Sequence, residues 1–211
     1  MLPPLERPAL LIIDMQVGFV SPTGAYARVG RPVRSAEGLA AAIDRLRAEF
    51  RRAGLPRLYT AYRYRPDGAD YPSHLHRVLP RAYAARAEPV FVPGSPETEI
   101  IPELTPGPDE PVVYKNRYSG FHGTDLAARL AAAGVRTVVL VGVLSHVCVD
   151  TTARDAFARD LDVVVVRDAV AGVDDRLHAA ALQNLEDTVG AVASVAEVLD
   201  AIGAPAGSTN A

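Results

Sequence analysis

Short, mainly apolar runs alternate along the chain with longer segments in which apolar residues recur every three or four positions. The apolar runs lie at residues 9–14, 57–64, 89–93, 111–115, 136–143 and 161–170. Runs that are apolar at consecutive positions, instead of at every second one, are typical of strands buried on both faces of a sheet. The pattern therefore predicts six buried strands.

The segments between these runs have the composition and periodicity of helices. They cover residues 35–54, 123–134, 148–159, 174–189 and 194–202. Ser35 and Thr124 are suitable N-caps for the first two, and Gly54 and Gly134 are suitable C-terminal stops. Strands that alternate with helices predict an α/β fold with a parallel sheet. We expect one domain over residues 1–202, followed by a flexible tail at 203–211.

Three chemically complementary side chains follow predicted strands. Asp14 ends the first strand, Lys115 ends the fourth, and Cys148 begins the helix after the fifth. Ligands of parallel α/β sheets bind outside the carboxyl ends of the strands, so we expect these three groups to lie near one another. The proline-rich segment 63–110 is irregular and is expected to shape one side of the pocket.

Two of these residues are each the only one of their type in the chain. Lys115 is the only lysine among 22 basic residues, and the other 21 are arginine. Lysine and arginine interchange freely on a solvated surface but not where a compact ammonium is required, so its retention indicates either function or chance. Cys148 is the only cysteine, which excludes an intrachain disulfide framework.

The overall charge and hydropathy exclude several classes of protein. The net charge is −3 and no run is rich in lysine or arginine, so we expect no nucleic-acid partner. No apolar run approaches the ~20 residues that a membrane span needs, and we expect no membrane association. The first residues do not have the pattern of a signal peptide, so a cytoplasmic location is expected.

A thiol, an ammonium and a carboxylate together can perform nucleophilic catalysis. A helix N-terminus and the Lys115 ammonium are both expected to lower the pKa of the Cys148 thiol, and Asp14 is suited to take its proton and return it to a leaving group. The simpler alternatives are that Cys148 is a small buried apolar side chain and Asp14 a loop cap. His146 offers a different pairing with the thiol, and His178 is expected to be structural.

Three stretches carry a resemblance to a known family: "ALLIIDMQVGF" (9–19), "KNRYSGFHGTDL" (115–126) and "GVLSHVCVDTTARDAFARDLDVVVVRDAV" (142–170). They resemble the isochorismatase-like cysteine hydrolases, which include nicotinamidases and N-carbamoylsarcosine amidase. The resemblance implies a Rossmann-like three-layer α/β/α fold with a six-stranded, mainly parallel sheet of order 3-2-1-4-5-6.

The resemblance also implies the roles of individual residues. It implies an Asp14-Lys115-Cys148 catalytic triad, a cis peptide bond between Val143 and Leu144, and an oxyanion hole formed by the backbone N–H groups of Leu144 and Cys148. The implied function is hydrolysis of a C–N bond in a small amide, carbamoyl or lactam substrate through a cysteine thioester. No cofactor is expected. The chain is expected to form a homo-oligomer, either a dimer or a larger assembly.

Two other functions remain open at this stage. One is an isochorismatase-type vinyl-ether hydrolase, although isochorismatases of that type lack the cysteine. The other is a non-catalytic member of the fold. Cys148 favours the amide hydrolase.

The sequence departs from nicotinamidases where those enzymes bind a metal. The region after the second strand contains Asp67, Asp70, His74 and His76 but no D-x-H motif, so no metal is expected, with the H-x-H pair as the alternative. Aromatic residues near the three reactive groups are candidates for substrate binding, with core packing as the alternative: Phe19, Tyr64, Tyr118 and Phe121. Arg63 is a candidate contact for an anionic substrate group, or else a solvated side chain.

Overall fold

The computed structural model describes residue 2 and residues 5–34, 38–72 and 90–203. The strands within this part of the chain are β1 Pro8–Ile13, β2 Arg57–Tyr62, β3 Val112–Lys115, β4 Thr137–Val143, β5 Asp162–Ala171 and β6 Ala191–Ala193. They form one parallel sheet of order β3-β2-β1-β4-β5-β6. The predicted fold class and strand order are therefore confirmed.

Helices cover both faces of the sheet. The α-helices of the described residues are α1 Val17–Val20, α2 Ala25–Arg28, α3 Leu39–Arg52, α4 Leu126–Ala132, α5 Asp150–Phe157, α6 Asp175–Thr188 and α7 Val195–Gly203. Helices α3 and α7 pack against each other and against β5, and so do α5 and α6 as a second pair. This is the three-layer arrangement that the alternation of strands and helices predicts. None of the described helices combines the length and the apolar character that a bilayer crossing requires.

The centre of the sheet explains why the apolar runs lack alternation. Strand β1 lies between β2 and β4, and all six of its residues are buried. Full burial of one Leu or Ile side chain contributes about 1.5–3 kcal/mol. A strand with helices above and below it gains this on both faces, so polar residues are excluded from every position of "PALLII".

One predicted strand is absent and one observed strand was not predicted, and the first of these errors changes where Lys115 lies. Residues 90–93 of the described chain form no strand, because Phe91 has a φ of 63°, which interrupts an extended backbone. Strand β6 was not predicted, because three residues between two helices give too short an apolar run. Lys115 therefore ends the third strand, at the edge of the sheet, and not the fourth, and Cys148 follows the fourth strand, not the fifth.

The predicted glycine stops are confirmed, whereas the predicted N-cap Thr124 lies one residue before the observed N-cap, Asp125. Gly54 and Gly134 follow α3 and α4 with φ angles of 68° and 66°, a backbone region that favours glycine. Helix α4 begins at Leu126, whose N–H donates to Thr124 Oγ1 at 3.3 Å. The proposed N-cap Ser35 and residues 204–211 of the expected tail lie outside the described residues.

A buried carboxylate holds together the end of the sheet at which β2 and β3 begin. Glu110 accepts hydrogen bonds from Arg47 Nη2 at 2.6 Å, Arg57 Nε at 2.8 Å, Arg51 Nη2 at 3.1 Å and the Gly107 N–H at 2.7 Å. Burial by itself would raise the pKa of Glu110, but the hydrogen bonds from Arg47, Gly107 and Arg57 outweigh it and lower the pKa to about 2. The cluster ties α3 to both strands.

We expect Glu110→Gln to lower the free energy of unfolding by about 3 kcal/mol, because it removes the buried charge that Arg47 and Arg57 share and leaves them only two exposed carboxylates, Asp44 and Asp109. Urea denaturation at pH 7 measures the change. Glu186→Gln, the same substitution at an exposed position of α6, should change stability by no more than about 0.5 kcal/mol. Equal stability of the two variants would contradict the role of the cluster.

The same carboxylate predicts a pH dependence. The pKa of Glu110 is lower in the folded chain than the ordinary 4.5, so its contribution is fully present above that pH and is lost as the pH falls towards about 2. The Glu110→Gln variant should therefore lose less stability than the wild type over this range. Parallel acid-denaturation curves for the two proteins test this expectation.

Candidate active site

Asp14 leaves β1 in a backbone conformation that turns its carboxylate into the protein interior. Its φ is 52°, in the left-handed region that Asp tolerates better than most residues. The side chain is fully buried. Thr60 on β2 donates its hydroxyl to Asp14 Oδ1 at 2.8 Å, and Lys115 Nζ donates to Oδ2 at 2.7 Å. Both carboxylate oxygens are thus held in fixed positions.

Lys115 reaches Asp14 from the far side of β2. Because β3 lies at the edge of the sheet, the side chain passes over Tyr62, its partner in the β2–β3 register, to reach the end of β1. Its ammonium lies 4.3 Å from the centroid of the Tyr62 ring and also donates to the Arg117 carbonyl at 3.1 Å. The Lys115 and Asp14 side chains have no exposed surface. The lysine is therefore part of a buried ion pair and not a leftover surface residue.

Cys148 lies in a helical turn that begins before the predicted helix. A π-helical turn spans Ser145–Val149 and continues directly into α5. The turn follows a bulge at the end of β4, where Gly142 approaches β1 so closely that an added Cβ would lie 2.1 Å from the Ile13 carbonyl oxygen. The Val143–Leu144 peptide bond is cis, as the family resemblance implies. Cys148 is thus not the first residue of a helix.

The thiol of Cys148 interacts with both members of the ion pair. Burial raises its pKa well above the ordinary value, and the Asp14 carboxylate raises it further, while the Lys115 ammonium lowers it without offsetting the burial. The expectation of a lowered thiol pKa is therefore wrong. The resting site contains a protonated thiol, a carboxylate and an ammonium, so the thiol requires a base to become a nucleophile.

The two histidines near this turn lie against Gly172 and Ser145, and only Asp14 and Lys115 interact with the thiol among the described charged groups. Nδ1 of His146 would lie 2.9 Å from a Cβ added at Gly172, and within the described chain it has no hydrogen-bond partner. His178 Nδ1 lies 3.0 Å from the Ser145 hydroxyl. Burial lowers the pKa of both imidazoles. The alternative pairing of His146 with the thiol does not occur, and His178 supports the turn, as predicted.

A small aromatic cavity lies beside the thiol. Of the nine described residues that line it, six are aromatic (Phe19, Tyr26, Tyr62, Tyr64, Phe91 and Tyr118) and the others are Leu144, Val147 and Cys148. The rings of Phe19 and Phe91 stack with centroids 4.4 Å apart. The cavity volume is about 10 Å³, which is room for about one water molecule. Within the described chain, a ligand larger than water would need these aromatic side chains to move.

The structure brings together most of the predicted pocket residues. Phe19, Tyr64 and Tyr118 line the cavity with Cys148, whereas Phe121 does not and has the Arg159 guanidinium 4.7 Å above its ring. Arg63 lies on Tyr114, 3.4 Å from the ring centroid, outside the cavity.

Tyr26, Tyr62 and Phe91 were missed. The irregular segment 63–110 was expected to contribute to the pocket, and Phe91 lies in it, but no periodicity distinguishes these rings from core residues.

The described residues offer no metal site. No group of three or more His, Cys, Asp or Glu side chains in that part of the chain is placed to bind an ion. Asp67 pairs with Arg65 at 2.6 Å, and Asp70 accepts from Asn116 Nδ2 at 2.8 Å. His74 and His76 lie outside the described residues.

Comparison with known proteins agrees with this geometry. The model of the isochorismatase domain matches residues 8–197. The chain belongs to the isochorismatase domain family. A ureidoacrylate amidohydrolase of Methylobacterium radiotolerans is 34% identical over 207 residues, covering 93% of this chain and 80% of that protein.

Solved structures of the family have the same fold. A cysteine hydrolase from Pseudomonas syringae pv. phaseolicola is 29% identical with a TM-score of 0.83, over 95% of this chain and 97% of that one. An N-carbamoylsarcosine amidase from Thermoplasma acidophilum is 29% identical with a TM-score of 0.69, over 90% and 97%. The predicted class, a hydrolase of C–N bonds other than peptide bonds, is confirmed at the level of the family.

The burial of Lys115 predicts that arginine cannot replace it. The broader guanidinium does not fit between the Tyr62 ring and Asp14, so we expect Lys115→Arg to lower kcat/KM by at least about 100-fold. Arg136→Lys, a change in the opposite direction at an exposed position, should leave kcat/KM unchanged. Thermal melts check that both variants fold. Near-normal turnover by Lys115→Arg would contradict a functional requirement for lysine at this position and leave chance as the reason for it.

The raised thiol pKa predicts slow alkylation of the resting enzyme. Because only the thiolate reacts, the rate of Cys148 carbamidomethylation by iodoacetamide should keep rising with pH beyond the ordinary thiol pKa of about 8.5. Cys148 is the only cysteine, so intact-mass spectrometry measures its modification directly. The urea-unfolded chain should instead titrate as an ordinary thiol. A plateau below pH 7 in the folded protein would show a preformed thiolate and contradict the expectation.

Proposed function

We propose that the protein hydrolyses a C–N bond of a small amide, ureido or carbamoyl compound through a thioester on Cys148. One observation carries the proposal: a buried Asp14–Lys115 ion pair in contact with a protonated thiol at the carboxyl ends of the strands. The names of the relatives support the choice of bond, since they include ureidoacrylate amidohydrolases and an N-carbamoylsarcosine amidase.

The first step is transfer of the thiol proton to Asp14. The thiol is protonated at rest, and the Asp14 carboxylate is the base in contact with it. The thiolate sulfur then forms a bond to the substrate carbonyl carbon, and the C=O pair moves to oxygen. We assign the backbone N–H groups of Leu144 and Cys148 to stabilise that oxyanion.

The second half of the reaction restores the enzyme. Asp14 returns its proton to the nitrogen as the C–N bond breaks, so ammonia or an amine leaves and a Cys148 thioester remains. Water then loses a proton to Asp14 and attacks the thioester carbon. The C–S bond breaks, the carboxylic acid departs, and the proton returns to sulfur.

Lys115 stabilises the negative charge wherever it lies during these steps. Before proton transfer the charge is on Asp14, and afterwards it is on the Cys148 sulfur. The ammonium interacts with both groups, so the proton moves without leaving a negative charge unpaired in a site that excludes water. A buried unpaired carboxylate or thiolate would be costly. This is the role that the sequence predicts for a compact cation.

The aromatic cavity favours a small, flat substrate. Stacked and tilted rings present flat faces, and among the residues that the structure describes the lining beside the thiol is mainly aromatic. A planar amide or ureido group attached to a short chain matches this shape. The tyrosine hydroxyls in the lining can orient its polar atoms.

An ammonia-release screen over amides, ureas and N-carbamoyl compounds tests the function. We expect at least one compound to be turned over, with Cys148→Ala and Asp14→Asn each losing at least about 1000-fold in kcat. Rapid quenching followed by intact-mass spectrometry should find an acyl adduct on Cys148. Hydrolysis of a vinyl-ether substrate, assayed separately, that survives Cys148→Ala but not Asp14→Ala would instead indicate a vinyl-ether hydrolase. A lack of turnover by the wild type across the screen would count against the amide hydrolase.

A further inference from the structure

The sheet order poses a geometric problem for the candidate triad. Lys115 ends the edge strand β3, and Asp14 follows β1, so β2 lies between them. Neighbouring strands are about 4.8 Å apart, and the lysine must therefore cross about 10 Å of sheet. The residue of β2 that it crosses is Tyr62, its register partner. Whatever side chain stands at this position forms the surface on which the ammonium lies.

Tyr62 meets the ammonium with the face of its ring. The Lys115 Nζ atom lies 4.3 Å from the ring centroid, within the range of an attractive cation–π contact. Two directions around Nζ are occupied by Asp14 Oδ2 at 2.7 Å and the Arg117 carbonyl at 3.1 Å. The interaction with the Cys148 thiol accounts for another. The ring face is therefore a further contact of the ammonium, besides the carboxylate, the carbonyl and the thiol.

The ring of Tyr62 is itself fixed from several sides. The buried side chain of Gln16 accepts from the Tyr62 N–H at 2.7 Å and donates to the Tyr62 carbonyl at 2.9 Å, as a neighbouring strand would. The Tyr62 hydroxyl donates to the carbonyl of Asn116, the residue after Lys115, at 3.1 Å. The tyrosine is thus tied at its backbone to the segment after Asp14 and at its tip to the backbone beside Lys115.

We propose that Tyr62 is a positioning residue. Its ring face supports the Lys115 side chain where that side chain crosses β2, and so holds the ammonium beside Asp14 and Cys148. The role rests on the proposed function, because positioning matters only if the triad is catalytic. It goes further by assigning a part to a side chain outside the triad and by explaining how an edge strand supplies the cation. The ring face is the essential element, and the hydroxyl serves to hold the ring in place.

The single lysine makes the contact measurable without any substrate. Labelling with ¹³C-lysine gives side-chain NMR signals from Lys115 alone. In the wild type we expect its Hε resonances to be shifted upfield by the Tyr62 ring current. The shift should persist in Tyr62→Phe and be lost in Tyr62→Leu. Ordinary random-coil shifts in the folded wild type would overturn the proposal by themselves, even if Tyr62→Leu failed to fold.

Steady-state kinetics distinguish a role of Tyr62 in positioning Lys115 from a role in packing the cavity wall. With a substrate found in the screen, Tyr62→Leu should lower kcat at least tenfold and change KM less than threefold, and Tyr62→Phe should restore kcat to within threefold of the wild type. Tyr26→Leu, the same substitution at another cavity tyrosine whose ring packs on Phe19, should act mainly on KM and leave the lysine signals in place.

The outcomes distinguish failure of the proposal from failure of the proposed function. A normal kcat in Tyr62→Leu, or an equal loss in Tyr62→Phe, would overturn the positioning role while leaving the amide hydrolase intact. If no amide is hydrolysed by the wild type, the proposed function fails and the catalytic role of Tyr62 fails with it. The NMR shift then still decides whether the ring supports the ammonium.

Discussion

The buried ion pair between Asp14 and Lys115 is the interaction on which the site depends. Two opposite charges without solvent exposure are stable only if each is paired and hydrogen-bonded. Thr60, the Arg117 carbonyl and the Tyr62 ring complete this environment. These groups come from β2 and from the segment after β3. The pair therefore depends on the correct order of three strands, and chemistry at Cys148 depends on the pair.

The two ends of the same strands use buried charge in different ways. At one end Glu110 is saturated by arginines and a backbone N–H, and its pKa of about 2 keeps it ionised. Such a group holds structure together but has no capacity for proton transfer near neutral pH. At the other end the Cys148 thiol is kept protonated by burial and lies against a carboxylate. Arginine suits the first cluster because its planar guanidinium can donate hydrogen bonds to several oxygen atoms at once. Lysine suits the second because its ammonium is compact.

Much of the fold follows from the sequence, because burial on both faces of a parallel sheet leaves an unmistakable apolar run in the strands of its centre. The identities of Asp14, Lys115 and Cys148 also follow, since each stands where such a run ends or shortly after it. The errors arise where the local signal is weak. Strand β6 has three residues, and "PVFVP" has a strand-like composition that the φ of Phe91 cancels. The extra strand at 89–93 precedes Lys115 and so displaced it by one strand in the predicted count, whereas the missed β6 follows it.

The direction of the Cys148 pKa shift was not predictable from residue types, because it depends on a balance that only the folded chain fixes. A nearby ammonium lowers a thiol pKa and burial raises it, and the sequence gives no measure of the burial. The same limit applies to the pocket. Tyr26, Tyr62 and Phe91 come from separate segments of the chain, and only the tertiary structure places them around the thiol.

The small cavity and the raised thiol pKa together give a reason for the proposed site to be inert without substrate. The described residues leave a cavity of about 10 Å³ beside Cys148, and a thiol with a raised pKa contributes little thiolate when a small reagent arrives. In the proposed mechanism, a flat substrate displaces aromatic rings and brings a carbonyl carbon to the sulfur. Proton transfer to Asp14 then becomes favourable only when the new C–S bond and the oxyanion contacts offset its cost. On this proposal the nucleophile is generated in the presence of its target, which limits wasteful reaction of the only cysteine in the chain.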